Sequence, residues 1–239
     1  MFVTLTGKQI MLCGLAALVV MAVGFAALLR GQPRTRPVAA PAQAGRCNVV
    51  IDAGHGGEDG GAVSPTGYYE SHINLAIARR LEMIFNLYGH STIMTRRTDI
   101  SIHDGVAGTI RQKKVSDLKN RVKLVNETEN ALLISIHQNI FAQSRFFGAQ
   151  CFYNGKPGSE TLANALQAQL TQKLDPENKR ETKPVPSGVY LFANIDCPAV
   201  LIECGFLSNA GDLNKLIDSA YQTKMAAAIF GAYTEWEGR

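Results

Sequence analysis

The sequence predicts an α/β fold: a single domain with a mostly parallel, mixed central sheet flanked by helices. Three observations carry this. Short β-branched apolar runs alternate with longer segments of helical periodicity along residues 47–239. Two of those runs stop abruptly at a histidine, in Asp52-Ala53-Gly54-His55-Gly56-Gly57 and in Ile134-Ser135-Ile136-His137. A third run, Pro198-Ala199-Val200-Leu201-Ile202, ends in the same manner at Glu203. Loops leaving the C-terminal ends of strands line the ligand crevice of an open α/β sheet. Residues far apart in sequence therefore converge there.

The elements are taken in chain order. Cys47 to Ile51 is a buried strand. Ser71 opens a helix whose apolar stripe is Ile73, Ile77, Leu81 and Ile84 with Tyr88, closed by Gly89. Ser91 to Thr95 is a strand, and the polar, glycine-containing residues 96–115 form a surface loop. Ser116 to Asn130 is helical, with Leu118, Val122 and Val125 inward. Ala131 to His137 and Gly148 to Tyr153 are strands, and Ser159 to Leu174 is a helix. Residues 175–187, with three prolines, are a loop. Gly188 to Leu191 reads as a short strand and Ala199 to Glu203 as a central one. Ser208-Asn209 caps the segment after it, and Ser219 to Glu235 closes the domain as a helix.

The chain divides into three parts. Residues 1–29 hold an uncharged stretch from Ile10 to Leu29, which as a helix reaches ~30 Å, about the hydrocarbon thickness of a bilayer. It is longer than the apolar region of a cleaved signal, so it reads as a signal anchor that attaches the chain to a membrane. Residues 30–46, rich in Pro, Ala, Gln and Arg, are an extended linker. Residues 47–239 are the catalytic domain. The formal charge of +4 belongs to the leader, because residues 1–46 contain five cations and no acid. That leaves 19 of the 24 Lys and Arg against all 20 Asp and Glu, and a near-neutral domain of this kind carries no nucleic-acid footprint. Arg30, Arg34 and Arg36 follow the span while Lys8 precedes it, a balance that leans toward a cytoplasmic domain. A location outside the cytoplasm rests on function alone. The cysteines, without a Cys-x-x-Cys pair, read as small buried hydrophobes.

Two imidazoles and a carboxylate at strand ends suggest a metal-dependent hydrolase, since catalytic zinc takes three such ligands and keeps one position open. His55 sits among Gly54, Gly56 and Gly57, which permit a tight loop. His137 stands where the core meets the cleft. Spacing leaves the carboxylate ligand open: Glu58 completes a His-x-x-Glu, and Glu70 stands at the mouth of a helix, where an acid also complements the helix dipole. Spacing leans slightly to Glu58. The absence of His-Glu-x-x-His excludes a thermolysin-like helix site. His72, His90 and His103 lie in helix or loop surroundings away from the strand ends. Glu203, ending an apolar run, is costly there unless paired or functional, and burial would raise its pKa toward acid–base use.

Taken together, Val50 to Gly57, Glu70 to Leu75, Ser135 to Asn139 and Leu201 to Asn209 resemble the zinc-dependent N-acetylmuramoyl-L-alanine amidases of the amidase-3 type. The resemblance spans about residues 47–237. It implies Zn²⁺ on His55, Glu70 and His137, with Glu203 as catalytic acid/base, and so moves the carboxylate from Glu58 to Glu70. The implied substrate is the peptidoglycan amide between the lactyl group of N-acetylmuramic acid and L-alanine. Gly148 to Tyr153, Arg180 to Pro184 and Gly188 to Leu191 are similar to the germination-specific spore-cortex amidases. That subgroup implies removal of stem peptides before a separate polysaccharide deacetylase forms muramic-δ-lactam, a lipoprotein activator in some members, and action in the forespore intermembrane space. Gln138 and Cys204 depart from the commoner pattern at positions that are not ligands. No long helical insertion of the kind that blocks division amidases separates His137 from Glu203. Two rivals stand beside this reading: a zinc peptidase using His55, Glu58 and His137, and a zinc-free wall-binding scaffold.

Overall fold

The computed structural model describes residues 47–105 and 108–238. The expected anchor and linker lie outside the described residues. Among the described residues no helix is long and apolar enough to cross a membrane. Six strands form one sheet: β1 (Asn48–Ala53), β2 (Thr92–Met94), β3 (Ala131–Asn139), β4 (Gln150–Tyr153), β5 (Lys183–Pro184) and β6 (Ala199–Phe206). Their order is β2-β1-β3-β6-β4-β5. The pairs β1–β2, β1–β3, β3–β6 and β4–β5 are parallel, and β4 runs antiparallel to β6, so the sheet is mixed as the sequence predicts.

Helices cover both faces because the strands are apolar on both sides, the pattern of a sheet buried between two layers. Ile51, Ile134, Ile136 and Ile202 pack against α1 (Glu70–Leu87), α3 (Ser159–Leu174) and α6 (Ser219–Glu237). Val50, Leu133 and Leu201 face α2 (Ile110–Asn126) and the four-residue α4 (Tyr190–Ala193). Period-two alternation places Ser135 and His137 on the opposite side of β3 from Ile134 and Ile136. It is this alternation that turns Asp52, Ser135, His137, Leu201 and Glu203 toward one cleft.

Three elements differ from the sequence expectation. The first is α2, which begins at Ile110 and not at Ser116, so the loop expected over 96–115 is shorter. Thr109 accepts from the backbone of Gln112 while the Gln112 side chain accepts from the Thr109 backbone, a capping box that starts the helix earlier. The second is the strand expected at 188–191: residues 190–193 form α4, with Leu191 and Phe192 turned into the core. The run is too short for its alternation to separate strand from helix. The third is the loop over 175–187, which contains the edge strand β5, paired through Phe152 and Tyr153. Asn209 caps α5 (Ala210–Leu216) by accepting from Asp212 N at 3.0 Å. Of the described cysteines, all free, Cys151 and Cys204 are buried as expected, whereas Cys47 and Cys197 are half-buried.

Candidate metal centre and active site

The cleft lies at the C-terminal ends of β1, β3 and β6. Beyond Ala53 the chain turns sharply, with φ of 60° at His55, 134° at Gly56 and 58° at Gly57. A side chain at φ near +60° is strained, and here the residue that bears the strain is a candidate metal ligand. Gly54 must lack a side chain, since a Cβ there would lie 2.2 Å from His137 Nε2. Glu70 is the first residue of α1 and is buried; its backbone N–H donates to Ala62 O at 2.8 Å.

These segments bring three side chains together. Glu70 Oε1 lies 2.9 Å from His137 Nδ1, and Glu70 Oε2 lies 3.4 Å from His55 Nε2. The two imidazole rings stand 5.0 Å apart at 72°. One donor atom from each of His55, Glu70 and His137 falls within 4.8 Å of the others. A two-histidine, one-carboxylate donor set is one that zinc takes. The arrangement has room at its rim because Gly61 is bare: a Cβ there would meet Glu70 Oε2 at 2.6 Å and His55 Cδ2 at 2.8 Å. The residues present therefore fit a zinc ion.

Electrostatics agree. Burial opposes ionisation of Glu70, but hydrogen bonds from His137 and His55 outweigh it and hold the carboxyl well below the usual range. For His55, burial lowers the pKa while Asp59 and Glu70 raise it further, to about 9 without metal. The His55 Nδ1–H donates to Asp59 Oδ2 at 2.9 Å, which leaves Nε2 facing Glu70, and Lys114 Nζ sits 3.1 Å from the same Asp59 oxygen. A carboxylate behind an imidazole in this way fixes its tautomer and orientation.

Glu203 stands beside His137 in the β3–β6 register and opposite Gln150 in β4. Its Oε2 is buried and has no hydrogen-bond partner among the described residues. Burial, reinforced by the charge of Glu70, pushes its carboxyl up to about 7. A cleft of ≈ 200 Å³ opens in front of it, with His55 and His137 on one side and Val189, Tyr190 and Leu191 on the other.

Glu58, which spacing slightly favoured, turns outward and pairs with Lys113 and His103. The reason is local: Glu58 lies in the turn closed by the Gly56–Asp59 bridge, where it faces the N-terminal half of α2. His72 pairs with the exposed Asp99, and His90 packs among Phe85, Phe230 and Tyr233. Neither belongs to the cluster. Sequence reasoning missed Asp59 and the buried network of Asp52, Thr95, Asp117, Arg121 and Ser135 beneath the cleft. One signal was available, because Arg121 falls on the inward stripe of Leu118, Val122 and Val125. Asn74, at one turn from Glu70 and from Ile77, carried the same kind of signal.

Residues 49–235 match the family model described as N-acetylmuramoyl-L-alanine amidase. A germination-specific N-acetylmuramoyl-L-alanine amidase of Bacillus subtilis is 39% identical over 184 residues, which is 76% of each chain. Among solved structures, the CwlD amidase of Clostridioides difficile, determined in complex with the GerS lipoprotein, superposes with a TM-score of 0.77. It is 38% identical, and the match covers 80% of this chain and 98% of that one. The N-acetylmuramoyl-L-alanine amidase AmiC2 of Nostoc punctiforme gives a TM-score of 0.69 at 25% identity, covering 81% and 98%. With a match that runs through every strand but the first residue of β1, and with this fold, the chain belongs to the N-acetylmuramoyl-L-alanine amidase family of peptidoglycan hydrolases.

Proposed function

We propose that this chain is a zinc-dependent amidase that cleaves the bond between the lactyl carbonyl of N-acetylmuramic acid and the nitrogen of L-alanine in peptidoglycan. One observation carries the reading: His55, Glu70 and His137 offer donor atoms within 4.8 Å of one another, beside Glu203, whose buried Oε2 has no hydrogen-bond partner among the described residues. His55, Glu70 and His137 would hold the ion. When bound, Zn²⁺ supplies Lewis-acid chemistry, polarising the carbonyl and acidifying a neighbouring water.

The chain's own residues do the rest. Asp59 keeps the His55 ring oriented through Nδ1. Glu203, with a pKa near neutrality, accepts the proton of the attacking water and returns it to the departing alanine nitrogen. The apolar wall of Val189, Leu191 and Leu201 excludes bulk water from that exchange and so strengthens it.

The finer setting is also a proposal: stem-peptide removal in the spore cortex, ahead of a polysaccharide deacetylase that forms muramic-δ-lactam. The domain would act outside the cytoplasm, held to the membrane by residues 10–29. Similarity to the B. subtilis germination-specific enzyme supports the setting, and the GerS-bound CwlD neighbour supports a lipoprotein partner. The test is muropeptide mass spectrometry after digestion of purified peptidoglycan with zinc and with chelator. Glycans bearing free lactyl carboxyls, formed only with zinc, are the expected result. Shortened stem peptides would make the enzyme a peptidase, and intact muropeptides from a zinc-loaded protein would overturn the proposal.

A further inference from the structure

The three candidate ligands sit on three separate segments: the β1–α1 loop, the first residue of α1, and the end of β3. Their spacing is not a property of any one element. Two buried polar side chains join the segments, and each does so through residues that are ligands or stand next to ligands. Asn74 Nδ2 donates to Gly54 O at 3.1 Å and lies 3.3 Å from Glu70 Oε1. Asn74 Oδ1 accepts from Gln138 Nε2 at 3.1 Å, while Gln138 N donates to Glu70 Oε1 at 3.1 Å. Asn74 therefore touches Glu70 itself and the neighbours of both histidines.

Arg96 makes a parallel connection. Its Nη2 donates both to Gly54 O at 3.0 Å and to Ser71 O at 2.7 Å, the neighbours of His55 and Glu70. Its Nε donates to Ala53 O at 2.9 Å and its Nη1 to Thr98 O at 3.1 Å. Both side chains are almost wholly buried, Asn74 at 0% and Arg96 at 2% exposure. A buried guanidinium is costly without a close counter-ion, and the carboxylate that pairs with Arg96 is Asp99 at 3.9 Å. The donors of Arg96 go to backbone carbonyls, so a close ion pair is not what it supplies. What the pair accomplishes is different: both donate to the Gly54 carbonyl, immediately before the strained φ of 60° at His55.

We propose that Asn74 and Arg96 are positioning residues that set the separation of His55, Glu70 and His137 and thereby the zinc affinity of the centre. The inference rests on the zinc reading of the site. Neither residue touches the reacting atoms.

The test uses the full-length chain and zinc alone as ligand. Chelator competition measures zinc affinity, the unfolding temperature of the metal-free protein measures stability, and the visible spectrum of the cobalt-substituted protein reports ligand geometry. Asn74→Ala and Arg96→Lys are compared with Leu166→Ala, a cavity variant in α3, which supplies no site residue. Each positioning variant is expected to weaken zinc binding by roughly 10–100-fold, the usual effect of losing a group that orients metal ligands. Each should also alter the cobalt spectrum, with a stability loss no greater than that of Leu166→Ala. Leu166→Ala should keep wild-type zinc affinity and spectrum. Because both side chains share Gly54 O, the double variant should lose less than the product of the single losses. Wild-type zinc affinity in either single variant would overturn the proposal. So would a metal-free variant that no longer folds, or an equal loss of affinity in Leu166→Ala. If the wild type itself failed to bind zinc, the metal reading would fall, a result separable from all of these.

Discussion

Replacing Glu203 by Gln tests the chemistry most directly, because shape and volume are kept while the proton is not. The carboxyl is buried, its Oε2 has no hydrogen-bond partner among the described residues, and burial raises it from 4.5 to about 7. A group that titrates near neutrality exchanges protons with water and with an amine leaving group at similar ease. General acid–base catalysis contributes about 10²–10⁴-fold, and this residue would be used twice in the cycle. The expected loss in kcat is therefore ~10³–10⁴-fold, about 4–5.5 kcal/mol of barrier. Zinc should remain at one equivalent, since the three-residue cluster does not include Glu203. Stability gives an independent reading. A carboxyl whose folded pKa is raised is stabilising to the fold only while protonated. The wild-type protein should therefore lose stability as pH rises from 4.5 through about 7, by up to about 3 kcal/mol in the metal-free state. The Gln variant should lack that loss, and the difference should vanish below pH 4.5. Peptide release from purified peptidoglycan, metal analysis and metal-free unfolding against pH measure the three effects. A Gln variant within tenfold of wild-type turnover would refute the acid–base role, and loss of zinc would instead make Glu203 a ligand.

Other perturbations test the same geometry. Gly54→Ala sets a methyl group 2.2 Å from the His137 ring nitrogen and should abolish stoichiometric zinc binding, as read by metal analysis; retained binding would show that the ring can move away freely. Asp59→Asn leaves His55 without its carboxylate and should weaken zinc by roughly 10–100-fold in chelator competition. Asp52 is held near 2: burial alone would raise it, but Arg121, His137 and Ser135 prevail. Its stabilising contribution is thus present above 3.8 and is lost as pH falls toward about 2. Asp52→Asn should cost about 2–3 kcal/mol at neutral pH by removing one of the two carboxylates on Arg121, with the gap to wild type closing in acid unfolding as pH falls from 3.8 toward about 2.

The elements that carry the site were legible because their patterns are local. Three apolar strands, each ending in a chemical residue, and an amphipathic helix after Glu70 are properties of short windows, and the structure has β1, β3, β6 and α1 where those windows predict them. The short segments were not. Residues 188–191 could be strand or helix until Leu191 and Phe192 found partners in Leu133 and Leu201. The start of α2 depended on a capping pair that the apolar stripe did not contain.

By itself, the sequence determined which strand ends carry histidine or glutamate, and that glycines surround His55 so that the chain can turn there. It could not decide between Glu58 and Glu70 from spacing, because distance along the chain says nothing about which carboxylate is turned inward. Tertiary structure separates the two: Glu58 lies in a turn facing Lys113, whereas Glu70 is buried at the start of a helix between two imidazoles. The same holds for Asn74 and Arg96, whose hydrogen bonds join segments that only the packing of β1, β2, β3 and α1 brings within bonding distance of each other, whereas Asp59 reaches His55 inside a single loop.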